Sequence, residues 1–239
     1  MDDTGAESTS GGLLDADSDG GDKGLDSLCD VFAQDCLPGL KCTLKFEAAL
    51  ELGTACVEVR GSGTVGDVCQ HEGFASGLDT CDSNSACVGV TSFGGGWTGT
   101  CRSFCGGTLD DGTCEDPATS CGGGTLPLCL QRCDPLLQDC VGEFEGCYLN
   151  NNIEGFQCIA LSENQVGLGE SCSFGTACLP GLMCRDPDVV PGCDTNCCAE
   201  FCDASEPNMC TLADQGAQCV RVGAIEPEFA DVGLCVLPD

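Results

Sequence analysis

Cysteines, clustered acids, a single histidine and glycine runs are the residues of this chain whose types and spacing could do chemistry. There are 26 cysteines. Thiolates bind metals or shuttle electrons where they stand two or three apart, as in zinc ribbons and thioredoxin-like sites. No C-x-C or C-x-x-C occurs here. Most gaps run from 6 to 16 residues, with four C-x-x-x-C pairs and the adjacent pair Cys197-Cys198. That spacing argues against metallothionein-like storage and for oxidation. The even count lets thirteen bridges form with no thiol left over.

The acids offer two patterns. Residues 15–26 read DADSDGGDKGLD. Asp15, Asp17 and Asp19, the turn glycine Gly20, and Asp26 at the twelfth place match a calcium loop. The pattern departs by Asp for Glu at the end, by Asp22 where an apolar residue packs, and by Lys23. A solvated acidic linker is the other reading. The second pattern is C-D-x-x-x-Q-D-C, found at Cys29–Cys36 and again at Cys133–Cys140. Its Asp30, Asp35, Asp134 and Asp139, with Gln34 and Gln138, could ligate a cation or act as acid and base. An Asp after a cysteine more commonly closes an Asx-turn on the backbone. His71 is the only histidine and reads as an exposed loop residue. The runs SFGGGW at 92–97 and CGGGT at 121–125 lack the Lys-Ser/Thr of a phosphate loop and read as turns, with Trp97 beside one of them.

The elements holding these residues must be small. Ten Phe, one Tyr and one Trp in 239 residues make thin cores, and 35 glycines add little bulk. Small cores are normally supplemented by disulfides. A bridge closing about 15 residues contributes roughly 3 kcal/mol in the chain-entropy picture. The formal charge is −31, with eight Lys and Arg against 39 acids. That excludes phosphate neutralisation and anionic membrane attraction, both of which need clustered cations. No run approaches the about 18 apolar residues that a spanning helix needs.

The chain divides at its cysteines. Residues 1–28 carry none and read as a disordered acidic linker. Such tethers follow the lipid-bearing cysteine of exported bacterial lipoproteins, so an anchor where Met1 stands is an expectation. From Cys29 the chain repeats: residues 29–132 form one cysteine-rich module and 133–239 a second. Twelve cysteines of the first correspond in order to twelve of the second, with matching gaps of 7 and 7, 6 and 6, 14 and 14. Each dozen divides into three groups of four, and CLPGLKC at 36–42 returns as CLPGLMC at 178–184.

Four cysteines allow three connectivities. The preferred order here is first to third and second to fourth, which pins three short turns without a large core. It gives Cys29–Cys42, Cys36–Cys56, Cys69–Cys87, Cys81–Cys101, Cys105–Cys121 and Cys114–Cys129 in the first module. In the second it gives Cys133–Cys147, Cys140–Cys158, Cys172–Cys184, Cys178–Cys198, Cys202–Cys219 and Cys210–Cys235. The leftover Cys193 and Cys197 pair with each other. Adjacent pairing within each unit is the rival.

The expected fold is small, disulfide-rich and loop-rich, a tandem duplication of six four-cysteine units with short antiparallel β hairpins and little helix. Apolar runs near Cys56, Cys87, Cys219 and Cys235 suit strands. KFEAALEL at 45–52 looks helical, and SENQ at 162–165 suggests one turn.

CDPLLQDC, CLPGLMC, CCAEFCD and the terminal DVGLCVLPD together resemble a group of cysteine-rich exported bacterial proteins. The resemblance covers 133–239 well and 29–132 more loosely. It implies export and a cysteine-rich frame. Some members of that group carry a ribulose-phosphate epimerase label. That enzyme family is a TIM barrel whose metal is held by two histidines and two acids. This chain has one histidine and no alternation of strand and helix.

The function expected from these readings is a non-enzymatic repeat protein, extracellular or on the outer cell surface, structural or partner-binding. A secreted inhibitor-like module and an enzyme are the alternatives. Calcium is the one cofactor the residues suggest. The expected partner is a protein or envelope component, not nucleic acid, and the expected state is a monomer.

Overall fold

Two cysteines set opposite each other on antiparallel strands form the recurring element of this chain. The computed structural model describes residues 23–46, 52–73, 75–93, 96–122, 125–142, 145–150, 155–162, 164–223 and 227–238. The first unit is the hairpin β1 (Leu40–Phe46) and β2 (Leu52–Glu58). The second is a three-stranded sheet of β3 (Val68–His71), β4 (Ser85–Phe93) and β5 (Gly96–Ser103), with β5 in the middle. The third holds the short ladder β6 (Gly106–Gly107) and β7 (Gly112–Thr113), then the hairpin β8 (Thr119–Gly122) and β9 (Leu128–Gln131). The fourth is the hairpin β10 (Glu145–Asn150) and β11 (Gly155–Ala160). The fifth and sixth share one sheet of β12 (Leu182–Arg185), β13 (Cys197–Asp203), β14 (Gln218–Arg221) and β15 (Val232–Val236), ordered β12-β13-β15-β14. Among the described residues, helix is confined to four three-residue 3-10 turns.

In every unit the third and fourth cysteines are direct register partners: Cys42 faces Cys56, Cys87 faces Cys101, Cys121 faces Cys129, Cys147 faces Cys158, Cys184 faces Cys198, and Cys219 faces Cys235. Opposed residues on an antiparallel pair project to the same face. Both sulfurs therefore stand side by side, and the segment before the hairpin meets them with its own two cysteines. The third bonds the first and the fourth bonds the second, so two bridges lie together under each hairpin base. Cα separations of 5.5–5.9 Å in these twelve are ordinary for cystines.

Two turns recur. In LPGL the Leu40 N–H donates to Leu37 O, and Leu182 N–H donates to Leu179 O, with Gly39 and Gly181 at φ of 88° and 85°. Proline at the second place and a positive-φ glycine at the third make a type II turn. The other turn precedes the units starting at Cys29, Cys69 and Cys172. Asp26, Gly66 and Gly169 each donate their N–H to the carbonyl of the fourth cysteine, Cys56, Cys101 and Cys198. All three have positive φ.

Three sequence expectations change. The linker read over 1–28 does not extend past residue 22 as linker, because Lys23 pairs with Cys36 and Leu28 with Ala55. The helix read over 45–52 is not formed at either end, since Lys45 and Phe46 belong to β1 and Leu52 to β2; residues 47–51 lie outside the described residues. Bridges at Cys42 and Cys56 impose the strand register over local helix propensity. At 162–165, Asn164 has a φ of 59°, which a right-handed helical turn does not allow.

The cores are correspondingly small. Some are cystine alone, as where Cys69, Cys81, Cys87 and Cys101 are all buried together. Others join units. Ala86, Leu126, Leu128 and Leu130 pack with Leu44 and Phe104 where the first three units meet. Phe156 of the fourth unit stacks edge-on with Phe201 and Phe229 of the last two, at centroid distances of 5.3 and 5.0 Å. Lys41 locks the first unit to the second. Its buried ammonium reaches Asp79 at 2.6 Å and the carbonyls of Ser85 and Asp82 at 2.9 and 3.2 Å.

Candidate functional site

Acids that the sequence offers as ligands spend their oxygens on backbone N–H groups. Asp30 Oδ1 accepts from Phe32 and Ala33 at 2.8 and 3.3 Å, and Asp134 Oδ1 accepts from Leu136 at 2.8 Å. Asp35 Oδ1 accepts from Asp30 N–H at 3.0 Å, as Asp139 Oδ1 does from Asp134 at 2.9 Å. Gln34 and Gln138 then act as a substitute strand. Each takes the N–H of the third cysteine on Oε1, Cys42 at 2.9 Å and Cys147 at 3.0 Å. Each gives Nε2–H back to the carbonyl of that same cysteine. Both glutamines hold φ near 50°, at 48° and 51°. The two motifs thus build the same Asx-turn and the same edge pairing, a structural use. Burial pushes the Asp35 carboxyl up, but the Lys23 ion pair at 3.0 Å and the Asp30 N–H outweigh it and hold it below the usual carboxylate value.

Of the calcium-loop candidates, Asp15, Asp17 and Asp19 lie outside the described residues. Asp26 sits in the positive-φ turn described above, and its carboxylate pairs with Lys45. The sulfurs do crowd together, with Cys69, Cys81 and Cys101 among the sets whose Sγ atoms all lie within 4.8 Å. Every described cysteine is in a bridge. A disulfide sulfur carries no thiolate charge with which to bind a metal. The pair outside the fourfold pattern, Cys193–Cys197, closes only a 4-residue separation with a Cα distance of 6.3 Å.

His71 is not an exposed loop residue. It lies on β3 and is 8% exposed, opposite Trp97 in register. Its Nδ1 accepts the Gly73 N–H at 2.9 Å, which places the ring proton on Nε2. Desolvation pushes its pKa below the ordinary value, opposed by Asp79 and seconded by Lys41. Trp97 is 41% exposed.

His71 borders a cleft lined mostly by apolar side chains. This space of about 260 Å³ is lined by Leu44 of β1, Val88 of β4, Leu126, Leu128 and Leu130 around β9, and Ile159 of β11. Four units contribute walls to it. The alternation of Leu126, Leu128 and Leu130 is a local signal in the sequence from which this wall could have been found. Beside it, a second space of about 260 Å³ opens between β5 and the turn before β10, with Arg102 and Glu145 in its wall. Both clefts share Gly89 and Glu145. Sequence reasoning had no means of finding Arg102 and Glu145, since neither sits in a motif.

No protein-family model, curated protein or solved structure matches the chain. The geometry alone carries the functional reading. It consists of six stapled hairpins, local use of the motif acids, and clefts formed where units meet.

Proposed function

We propose that the chain is an exported, non-enzymatic frame that presents its hairpin tips to a protein partner at the outer cell surface or in the surrounding medium. The observation that carries this is the constancy of the staple against the variability of what it holds. The same two adjacent bridges clamp all six hairpin bases, while 7 to 15 residues separate the third and fourth cysteines. Changes in a tip leave the clamp untouched, which is how rigid scaffolds carry recognition loops. Dense disulfides suit an oxidising compartment. Among the described residues no helix is long and apolar enough to cross a membrane. A lipid on the native N-terminus, with the acidic segment before Lys23 as tether, would hold the frame on the surface.

Charge indicates the partner's character. Lys23, Lys41, Lys45, Arg60, Arg102, Arg132 and Arg221, of eight cations in all, each pair with an acid. Most acids are left uncompensated, so a basic protein face is the complement. The test uses the oxidised chain with the tips of the first, second and fourth hairpins, which hold no cysteine, replaced by Gly-Ser of equal length. Binding to the envelope fraction of the producing cells is then measured. Wild-type binding that the tip replacement abolishes, with all bridges intact, is the expected result. Binding that survives the replacement, or no binding by the wild type, overturns the proposal.

A further inference from the structure

Arg102 on β5 and Glu145 at the start of β10 join the second unit to the fourth. Both side chains are nine-tenths buried, each 9% exposed. A guanidinium and a carboxylate at such a site normally engage in a bidentate fork. Here only Arg102 Nη2 and Glu145 Oε1 meet. Arg102 Nε and Glu145 Oε2 are buried without a hydrogen-bond partner. Leaving such atoms unmatched costs about 1–3 kcal/mol each, and more for charged groups. A buried donor and a buried acceptor on one ion pair are therefore poised for a guest.

The space beside them has the shape for one. Arg102 and Glu145 line the cleft together with Thr98, Gly99, Thr100 and Gly142. Val68 and Val141 form its apolar rim, at 78% and 82% exposure. Gly142 stands directly before the free oxygen. A Cβ there would lie 2.5 Å from Oε2 and 2.6 Å from the carboxyl carbon, so a side chain at 142 would push the carboxylate out of its place. The volume of about 260 Å³ exceeds what one water fills, at roughly 30 Å³ each.

The charges select the guest. An anion would meet Glu145 and a cation would meet Arg102, so a neutral group is favoured. It must accept from Nε–H and donate to Oε2 at once. A carboxamide does both from one planar group, its oxygen accepting and its N–H donating. We propose that this cleft is a subsite for a neutral carboxamide, presented as an asparagine or glutamine side chain of the partner or as a peptide-bond amide. The partner's involvement rests on the function proposed above; carboxamide binding itself does not.

The test follows the Arg102 Nε–H signal in the oxidised, nitrogen-15-labelled full chain, assigned with Arg102→Lys. Acetamide stands for the side-chain amide and N-methylacetamide for the peptide bond. Acetate, methylammonium and glucose are the controls. A saturable shift with acetamide, N-methylacetamide or both, and none with the controls, supports the proposal, and the stronger of the two amides identifies the source. Gly142→Ala and Glu145→Gln should each weaken the effect about tenfold, the worth of one hydrogen bond to a charged group. No shift with either amide, an equal shift with acetate or glucose, or full binding by a folded Gly142→Ala overturns it. The wild-type titration decides even where a variant fails to fold. Because the probes are small amides, the subsite can stand while partner binding by the hairpin tips fails, or the reverse.

Discussion

Asp30 and Asp134 show why chemistry-bearing residues in this chain turn out to be structural. A frame with short strands leaves many backbone N–H groups outside any ladder, and those groups need acceptors. In the units starting at Cys29 and Cys133, the Asp after the first cysteine supplies one, and the glutamine four residues on supplies a strand-like pair for the third cysteine. The motif was legible in sequence because its spacing is local. The burial of His71 was not legible, because it comes from the pairing of β3 with β5 and from Asp79 across the turn. That burial has a consequence for pH. Desolvation lowers the His71 pKa in the folded state, with Lys41 acting in the same sense and Asp79 and Glu72 against it. A depressed folded value means that the unfolded chain binds the proton more readily. The stabilising contribution is therefore whole above the ordinary value near about 6.5 and is lost as pH falls below it. An NMR titration of the His71 ring should place its midpoint below that value. A midpoint at or above it would contradict the burial described here.

Each hairpin is defined by its staple more than by its residues. Lys41 and Met183 hold the same place in CLPGLKC and CLPGLMC, yet one reaches buried Asp79 and the other packs near Val190 and Ala199. The apolar runs near Cys56, Cys87, Cys219 and Cys235 identified β2, β4, β14 and β15 because β-branched residues favour strands, even on β14, where Val220 stays exposed. The run at 45–52 is strand at both ends, at Lys45, Phe46 and Leu52, because helix propensity is worth tenths of a kcal/mol per residue whereas bridges act on whole segments. Bridges also differ among themselves. Loop-closure entropy grows with the logarithm of the loop, giving about 2 kcal/mol for a loop of about 4 residues and about 3 kcal/mol for about 20. Replacing Cys193 and Cys197 together by Ser should cost less stability than replacing Cys36 and Cys56, whose separation is 20. Urea denaturation of the two oxidised variants compares them directly. An equal or larger loss at Cys193–Cys197 would mean that this bridge holds more than its own small loop. Peptide mapping of the oxidised chain should recover Cys29–Cys42 with Cys36–Cys56, not Cys29–Cys36 with Cys42–Cys56.

The assembled molecule carries a formal charge of −31 on thin cores, so self-repulsion opposes its compactness. The Debye length falls from about 30 Å at 0.01 M salt to about 8 Å at 0.15 M. The urea midpoint of the oxidised chain should therefore rise between those two sodium chloride concentrations. A midpoint that falls would show that the surface ion pairs, such as Arg221–Asp231, outweigh the repulsion. The number and order of the cysteines set the disulfide-rich class and the fourfold unit, and the excess of 39 acids over eight Lys and Arg sets the negative charge, because those properties follow from composition and from spacing along the chain. How the units sit against one another lay beyond that reading. Lys41 meets Asp79 across 38 residues, and Arg102 meets Glu145 across 43. No period or motif encodes such meetings, because they depend on which faces of separate hairpins come together once each is stapled. The apolar cleft beside His71 and the open ion pair beside Gly142 exist only at those junctions.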